Sequence, residues 1–459
     1  MTELRKDSLS FIETIGQSVA NVSPTLTPAL SIAVVAGTAG TGSWFVFLLA
    51  TIAMLVVGVN VGKLAQKIPS AGSFFLYVSR SLGPSYGMLT GWAMLAAYLT
   101  TAMALTVATS IFIKTMLTGL GVTWVPPTLA LYAIVSALIW LLSSRDMRIS
   151  SRIGLSLEAI SMAIILFVCI SVLTTYGFHL DPKQVSMEGL DLKAIPQAIV
   201  FAIFAFVGFE SAATLGKETR DPTTTIPKAI NWTAISAGLF FIFTSYVIMM
   251  GFDDDATKLA ASGAPLADIL SGKSPLLTAF VYFGAAISSF ACALASLNAF
   301  GRMLFSLGRY QFVHKSMGMV HADHKTPHVA LAFGAIVNFV VCAALSGAGA
   351  ETDTFGWFGT IASFGFIVVY LMCSICAPVY LKKLGVVTAK DYAFGVLGVV
   401  LMVASVIGSL YPVPASPMNL LPYIFLAYMV VGAIYFFILK ARAPQTLLGI
   451  EKDMEVSGA

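Results

Sequence analysis

The amino-acid sequence predicts an all-α, polytopic membrane protein with 12 transmembrane helices. Of its 459 residues, 58% are apolar and only 10% are charged, whereas a soluble domain carries about 25% charged residues. The apolar residues fall into segments long enough to cross a bilayer, and lysine and arginine accumulate on one side of them. This pattern excludes a soluble enzyme, a disordered chain and a nucleic-acid-binding protein.

Twelve apolar segments account for most of the chain. A helix needs about 20 apolar residues to cross the hydrocarbon core of a bilayer. Short connections rich in glycine, proline or charge separate the segments, as expected between neighbouring spans. The segments are 12–37, 43–64, 85–117, 127–142, 153–176, 195–215, 226–251, 275–300, 328–346, 358–381, 393–411 and 417–439.

The distribution of positive charge predicts the orientation. An even number of spans places both termini on the same side, and most of the 26 lysines and arginines fall on that side. Cytoplasmic loops carry such an excess. The loops of the opposite side hold Lys183, Lys193, Lys258 and Lys273. We therefore expect a multi-pass protein of the cell membrane with both termini in the cytoplasm.

Two of the segments contain residues that a regular membrane helix does not favour. In the first segment, Pro24 and Pro28 stand four residues apart, and each removes a backbone donor and clashes with the preceding turn. In the sixth, Gly208 and Glu210 stand at mid-membrane depth. Such residues can simply kink a helix, but interruptions at corresponding positions of two halves are typical of inverted-repeat transporters. The coincidence favours two broken helices whose freed backbone groups face a small zwitterion.

Three stretches of the chain carry a family motif. The sixth segment and its continuation read IFAFVGFESA at 203–212, KETRDP at 217–222 and IPKAI at 226–230. The eighth segment and the following loop contain ASLNAFGR at 295–302 and KTP at 325–327, and the loop after the second segment contains IPSAGSF at 68–74 and LGP at 82–84. Together these stretches resemble the amino acid–polyamine–organocation permeases, and the resemblance extends over residues 12–439.

The resemblance implies a five-plus-five inverted repeat of the leucine-transporter type with two additional helices. It divides the chain into an N-terminal cytoplasmic tail at 1–11, a first repeat at 12–176 and a second repeat at 194–381. Helices 11 and 12 then occupy 391–441, and a C-terminal cytoplasmic tail occupies 442–459.

The resemblance also implies that substrate lies between the first and sixth helices. The aligned motif places the aromatic lid of the family at Phe204, although bulk packing is the alternative role for this side chain. In the first helix, Ser23-Pro24-Thr25 stands where many members have a Gly-Ser-Gly-like turn. The predicted substrate-binding residues are Asn21, Val22, Ser23, Pro24, Thr25, Phe204, Ala205, Val207 and Gly208.

Two buried acids are the candidates for ion coupling, because an ionisable group inside a span costs about 2.5–3.5 kcal/mol on insertion scales and is functional by default. Glu210 follows the interruption of the sixth helix, where it either exchanges a proton or serves as a structural carboxyl. Glu158 lies in the fifth helix and either relays a proton or forms an inner-gate ion pair. The arginines before it are Arg145, Arg148 and Arg152. A third acid, Glu13, is expected to be interfacial.

Sodium is the alternative coupling ion. Several family members carry a lysine in the fifth helix whose ammonium group replaces sodium, and this chain has Ser161 near that place. Ser288 and Ser289 of the eighth segment could offer hydroxyl ligands to Na⁺, although hydroxyls in membrane helices often bond to their own helix. Proton coupling is therefore favoured.

The sequence thus favours a secondary-active permease that moves a small or mid-sized neutral amino acid by alternating access with proton symport. The pocket segments hold no basic side chain and Glu210 as their acid, whereas a polyamine or dibasic substrate would need more carboxylates. The alternatives are an amino acid exchanger, a polyamine or cationic amino acid carrier, and a sodium symporter.

The remaining expectations concern partners and cofactors. The chain has no Walker-type loop, so we expect no ATP, and no span has a histidine in its interior that could serve an enzyme. We expect no nucleic acid, no metal and no cofactor apart from the coupling proton or sodium ion. The expected partners are an amino acid substrate and membrane lipid, and the protein is expected to be a monomer or homodimer.

Overall fold

The computed structural model describes residues 7–70, 72–145, 147–178, 180–270, 275–411, 413 and 416–442. This part of the chain is all-α and contains two isolated β-bridges but no strand. The predicted fold class is confirmed. The α-helices are α1 (Phe11–Val22), α2 (Ile32–Ala39), α3 (Ser43–Lys67), α4 (Ser73–Leu82), α5 (Pro84–Gly119), α6 (Thr128–Ser143), α7 (Met147–Tyr176), α8 (Pro182–Val185), α9 (Ile195–Phe204), α10 (Pro222–Gly251), α11 (Ala256–Ala261), α12 (Pro265–Ile269), α13 (Pro275–Arg309), α14 (His328–Leu345), α15 (Glu351–Lys383), α16 (Ala389–Leu410) and α17 (Leu421–Arg442).

The protein is a multi-pass membrane protein. Within the described residues, ten helical segments are long and apolar enough to cross a bilayer, and the continuous stretch Phe11–Ala39 counts as one of them. Two shorter apolar helices, α6 and α9, stand where the fourth and sixth spans were expected. The count of 12 therefore stays a prediction. We call the end of the bundle where α1 begins the N-face, and the end where α2 finishes the far face.

Small residues let the helices approach closely in the centre of the bundle. A Cβ atom added to Gly365 of α15 would lie 2.8 Å from both the carbonyl oxygen of Ala93 and the Cβ atom of Ala97 in α5. In the same way, a Cβ atom on Gly238 of α10 would lie 2.6 Å from the hydroxyl of Thr51 in α3. Such contacts between small residues are a main source of packing energy between membrane helices.

The interruption predicted in the first span is confirmed. Helix α1 ends at Val22, and Ser23 adopts a left-handed conformation with φ 49°. The chain then turns through Pro24 and continues as a π-helix at Thr27–Ser31 before α2 begins. The two prolines explain the break because neither can donate the backbone hydrogen bond that a continuous α-helix needs.

The sixth span is interrupted as well. Helix α9 ends at Phe204, residues 205–210 form successive turns, and a 3₁₀ helix follows at Ser211–Leu215. Gly208 has φ 95°, a conformation that residues with a Cβ atom rarely adopt. Both interrupted spans therefore have the form that the sequence predicts.

Candidate functional site

The two interruptions lie against each other. The hydroxyl of Ser211 donates to the carbonyl oxygen of Gln17 over 3.2 Å, and the backbone N–H of Ala212 donates to the hydroxyl of Ser18 over 2.9 Å. Gly208 faces Asn21 so closely that a Cβ atom added there would lie 2.6 Å from the amide carbon of Asn21. The structure thus brings together the two segments that contain the predicted substrate-binding residues.

Two polar groups of the first span are buried here without a partner among the described residues. They are the side-chain nitrogen of Asn21 and the hydroxyl of Thr25, and both residues are at most 1% exposed. The rest of Asn21 is held in place, because its side-chain oxygen accepts from Ser296 over 2.6 Å and its carbonyl oxygen accepts from the thiol of Cys292 over 3.0 Å. Leaving such donors unpaired costs about 1–3 kcal/mol each. A ligand carboxylate between the spans would satisfy them.

A chamber of about 470 Å³ opens from the far face and reaches Phe204. Its walls come from α2, α9, α11, α15 and α16, and its lining contains no charged side chain among the described residues. The ring of Phe204 packs edge-on against Phe355 at 6.2 Å and lies over Gly359, where an added Cβ atom would come within 2.8 Å of the ring. Phe204 therefore stands at the boundary between the chamber and the buried interruptions.

The other predicted substrate-binding residues are buried and do not line this chamber. Those from the first span are Asn21, Val22, Ser23, Pro24 and Thr25, and those from the sixth are Ala205, Val207 and Gly208. Among them, Gly208 and Asn21 lie against each other where the two interruptions meet.

Glu210 is anchored by two tyrosines. Its carboxylate accepts from the hydroxyl of Tyr98 in α5 over 3.0 Å and from that of Tyr370 in α15 over 2.5 Å, and all three residues are fully buried. The interrupted segment is therefore tied to both helices. Neither tyrosine was predicted from the sequence. The one indication of their role is that each places a hydroxyl group within an otherwise apolar segment.

Glu158 connects the fifth and eighth helices to the first interruption. Both of its carboxylate oxygens lie within 2.8–2.9 Å of the hydroxyl of Ser288, and that hydroxyl lies 2.9 Å from the hydroxyl of Ser23. Glu158 is fully buried. A carboxyl group, a serine hydroxyl and the turn that follows α1 thus form one hydrogen-bonded chain.

The expected ion pair between Glu158 and Arg152 is wrong. Glu158 contacts Ser288, whereas Arg152 pairs with Glu13, and the side chain of Arg148 lies outside the described residues. The hydroxyl of Ser289 donates to the carbonyl oxygen of Ala285 in its own helix, and that of Ser161 donates to Leu157. The role of Ser288 and Ser289 as sodium ligands stays a prediction.

Two ion pairs lie at the N-face. Glu13 of the first turn of α1 is only 3% exposed and lies 2.6 Å from Arg152 of α7. Glu218 and Arg302 form a bidentate pair at 2.7 and 3.0 Å and are almost fully buried. Bidentate geometry makes such a pair strong and directional. These contacts hold α1, α7, α13 and the end of the sixth span together.

A pair of acids meets at the loop that precedes α11, the helix that covers part of the chamber at the far face. The side-chain nitrogen of the buried Gln184 donates to Asp181 over 3.3 Å and to Asp254 over 3.1 Å. Burial, together with the neighbouring Asp181, raises the pKa of Asp254 to about 6. Burial also opposes ionisation of Asp181, but hydrogen bonds from Asp254, Lys183 and Gln184 outweigh it and lower its pKa. Below about pH 6, Asp254 therefore carries the proton that joins the two carboxyl groups.

We expect the attachment of α11 to weaken as the pH rises through about 6. Because the pKa of Asp254 is raised in the folded protein, the contact is complete in acid and is lost when this group ionises. A spin label on Thr257→Cys should become more mobile between pH 5 and pH 7.5, and Asp254→Asn should remove that change. Asp253→Asn is the control, because Asp253 accepts from Tyr176 instead. An unchanged pH response in Asp254→Asn would contradict the assignment.

Comparison with known proteins places the chain among transporters. The amino acid permease family matches residues 15–456. The low-affinity putrescine importer of Escherichia coli (strain K12) is 25% identical over 357 residues, which cover 75% of both chains. The branched-chain amino acid permease of Bacillus subtilis (strain 168) is 24% identical, with 75% of both chains covered. The branched-chain amino acid permease of Lactococcus lactis subsp. cremoris is 26% identical over 68% of this chain and 72% of the relative.

Proposed function

The chain belongs to the amino acid permease family, and from that premise we propose that it is a secondary-active transporter of a neutral amino acid working by alternating access. The observation that carries this proposal is the pair of unpaired, buried donors, Asn21 Nδ2 and Thr25 Oγ1, where the two interruptions meet. A substrate carboxylate supplies the acceptor that both groups lack. The ammonium group of the same substrate would then face carbonyl groups freed at the breaks.

The lining of the chamber favours a neutral substrate with a largely apolar side chain. Its lining includes the rings of Phe204, Phe355 and Phe364 and several small residues, with no charged side chain among the described residues. Two of the relatives are permeases for branched-chain amino acids. A small or mid-sized neutral side chain fits these surroundings better than a charged one, because burying an uncompensated charge is costly.

A polyamine carrier is the second candidate, because one relative imports putrescine. The acids nearest to the interruptions are Glu158 and Glu210, and an amine substrate would have to engage at least one of them. Both already accept hydrogen bonds from hydroxyl groups, Glu158 from Ser288 and Glu210 from Tyr98 and Tyr370. The geometry therefore favours the neutral amino acid.

We further propose that transport is coupled to protons and that Glu158 carries the proton. Through Ser288 its carboxyl group contacts Ser23, which belongs to the same turn as the two unpaired donors. Sodium held by Glu158 and Ser288 is the alternative, and exchange without net ion movement is another. The proposed role of Glu210 is to anchor the sixth span through its tyrosines.

The proposed location is the cell membrane with the N-face in the cytoplasm. The excess of lysine and arginine on the side of the termini supports this orientation. The chamber would then open to the outside, while the Glu13–Arg152 and Glu218–Arg302 pairs would close the cytoplasmic entrance.

Uptake into proteoliposomes tests the proposed function. A panel of labelled amino acids and putrescine is offered under an imposed pH gradient and then under a sodium gradient. We expect a neutral amino acid to accumulate under the pH gradient. Accumulation of putrescine alone would support the second candidate, and accumulation that requires sodium would exclude proton coupling.

Phe204→Ala is expected to weaken substrate binding in the same assay. Losing an aromatic contact of about 1.4–2.8 kcal/mol corresponds to an increase of about 10- to 100-fold in apparent KM. Phe280→Ala is the matched control, because that ring lies on the outside of α13 and is 50% exposed. Equal KM values for the two variants would show that Phe204 does not contact the substrate.

A further inference from the structure

A second large cavity lies on the side of the bundle, away from the interrupted spans. It has a volume of about 760 Å³ and is enclosed by α5, α13, α14, α15 and α17. We call it the lateral groove. Along α14 it extends from Phe333 to Leu345, which is about 18 Å at 1.5 Å per residue. It therefore covers more than half of the hydrocarbon thickness of a bilayer, about 30 Å.

Hydrogen bonds already engage three of the polar side chains that line the membrane part of the lateral groove. The indole N–H of Trp92 donates to the carbonyl oxygen of Tyr428 over 3.1 Å, and the hydroxyl of Tyr428 donates to the carbonyl oxygen of Trp92 over 2.9 Å. Thr100 donates to Ala96 of its own helix over 2.7 Å. The groove consequently offers an apolar surface, which suits a hydrocarbon chain and not water or a polar solute.

Helix α17 forms one wall of the groove and packs against both α5 and α15. The rings of Trp92 and Tyr428 stack at 5.0 Å, and a Cβ atom on Gly432 would clash with Trp92. Nearer the far face, Leu421, Ile424 and Phe425 form one wall of the groove, and Val337, Val341 and Leu345 of α14 line it as well. Phe333 and Ile424, which line the groove, are 45% and 53% exposed, so the groove reaches the outer surface of the bundle.

Positive charge lies at the N-face end of the groove. His314 lines this end and Lys315 follows it, while Arg309 stands over the ring of Phe305 at 5.9 Å. The hydroxyl of Tyr435 donates to the carbonyl oxygen of Phe312 over 2.8 Å, which places the last turns of α17 beside this segment. Basic residues at a membrane surface attract anionic lipid headgroups.

We propose that the lateral groove binds an anionic membrane phospholipid, with one acyl chain between α14 and α17 and the headgroup at His314 and Lys315. The acyl chain would pack against the apolar walls of the groove. This site is separate from the substrate site and does not rest on the proposed transport function.

Native mass spectrometry of the full-length protein tests the proposal. The protein is supplied with phosphatidylglycerol and phosphatidylethanolamine in equal amounts, and retained lipid is measured for Val341→Trp, which fills the groove. Val340→Trp is the matched control, because Val340, the residue before Val341, is 54% exposed on the outside of α14. We expect Val341→Trp to lower retained phosphatidylglycerol by about tenfold, equivalent to about 1.4 kcal/mol, and Val340→Trp to leave it unchanged.

Two further measurements make the test independent of the folding of one variant. Thr100→Leu fills the groove with a smaller side chain and should also lower lipid retention. Lys315→Gln should remove the preference for phosphatidylglycerol while retaining lipid. Equal retention by Val341→Trp and Val340→Trp would overturn the proposal. The proposal would also be overturned if the wild type were a dimer and filling the groove converted it to a monomer, because a second copy of the chain would then be the occupant.

Discussion

Replacing Gly208 by alanine is expected to lower substrate uptake by about 100-fold or more. Gly208 has φ 95°, and a left-handed conformation costs a residue with a Cβ atom about 1–2 kcal/mol. The added carbon would also lie 2.6 Å from the amide carbon and 2.8 Å from the carbonyl oxygen of Asn21. Overpacking of this kind costs about 1–3 kcal/mol, so the two costs together amount to about 2–5 kcal/mol, a range that includes the roughly 2.8 kcal/mol that corresponds to 100-fold.

Displacement of Asn21 explains why Gly208→Ala should impair substrate binding more than the stability of the fold. Asn21 would have to move, and its side-chain nitrogen is one of the two unpaired donors proposed to bind the substrate carboxylate. We therefore expect binding to be lost in Gly208→Ala protein that still elutes as a folded species and melts within a few degrees of the wild type.

Gly263→Ala is the matched control for Gly208→Ala. Gly263 lines the same chamber, but a Cβ atom added there has no neighbour within 4 Å. Uptake by this variant should equal that of the wild type. If Gly208→Ala also retained wild-type uptake and affinity, the interruption of the sixth span could not be the substrate site.

The parts of the fold that depend on local covalent constraints were predictable from the sequence. Pro24 and Pro28 break the first span wherever it packs, and Gly208 permits a backbone turn that other residues resist. Apolar segments of about 20 residues identify membrane spans for a similar reason, since the bilayer thickness sets their length.

The contacts of the buried acids could not be predicted in this way. Whether Glu158 meets Ser288 or an arginine depends on how α7 is rotated against α13, and one residue along a helix changes the direction of a side chain by about 100°. Ser288 and Ser289 illustrate this sensitivity, because the first contacts Glu158 and the second bonds within its own helix. The tyrosine partners of Glu210 come from two other helices, 112 and 160 residues away in the sequence.

Glu158→Gln is expected to abolish accumulation driven by a pH gradient while exchange of internal for external substrate continues. Glutamine has nearly the same shape as glutamate and can still accept the hydrogen bond from Ser288, but it cannot bind and release a proton. A gradient of one pH unit can drive about tenfold accumulation when one proton moves with each substrate. In the variant, the internal and external concentrations of substrate should become equal.

Ser288→Ala and Ser289→Ala form the matched control pair for Glu158→Gln. Ser288→Ala cuts the connection between Glu158 and Ser23, so it should weaken the response to the pH gradient. Ser289→Ala removes a hydroxyl that bonds to Ala285 and should leave the response unchanged.

Glu210→Gln should instead lower accumulation and exchange together, because an amide nitrogen cannot accept one of the two tyrosine hydrogen bonds. If Glu158→Gln still accumulated substrate under the pH gradient and Glu210→Gln lost only that accumulation, the coupling proton would belong to Glu210 and not to Glu158.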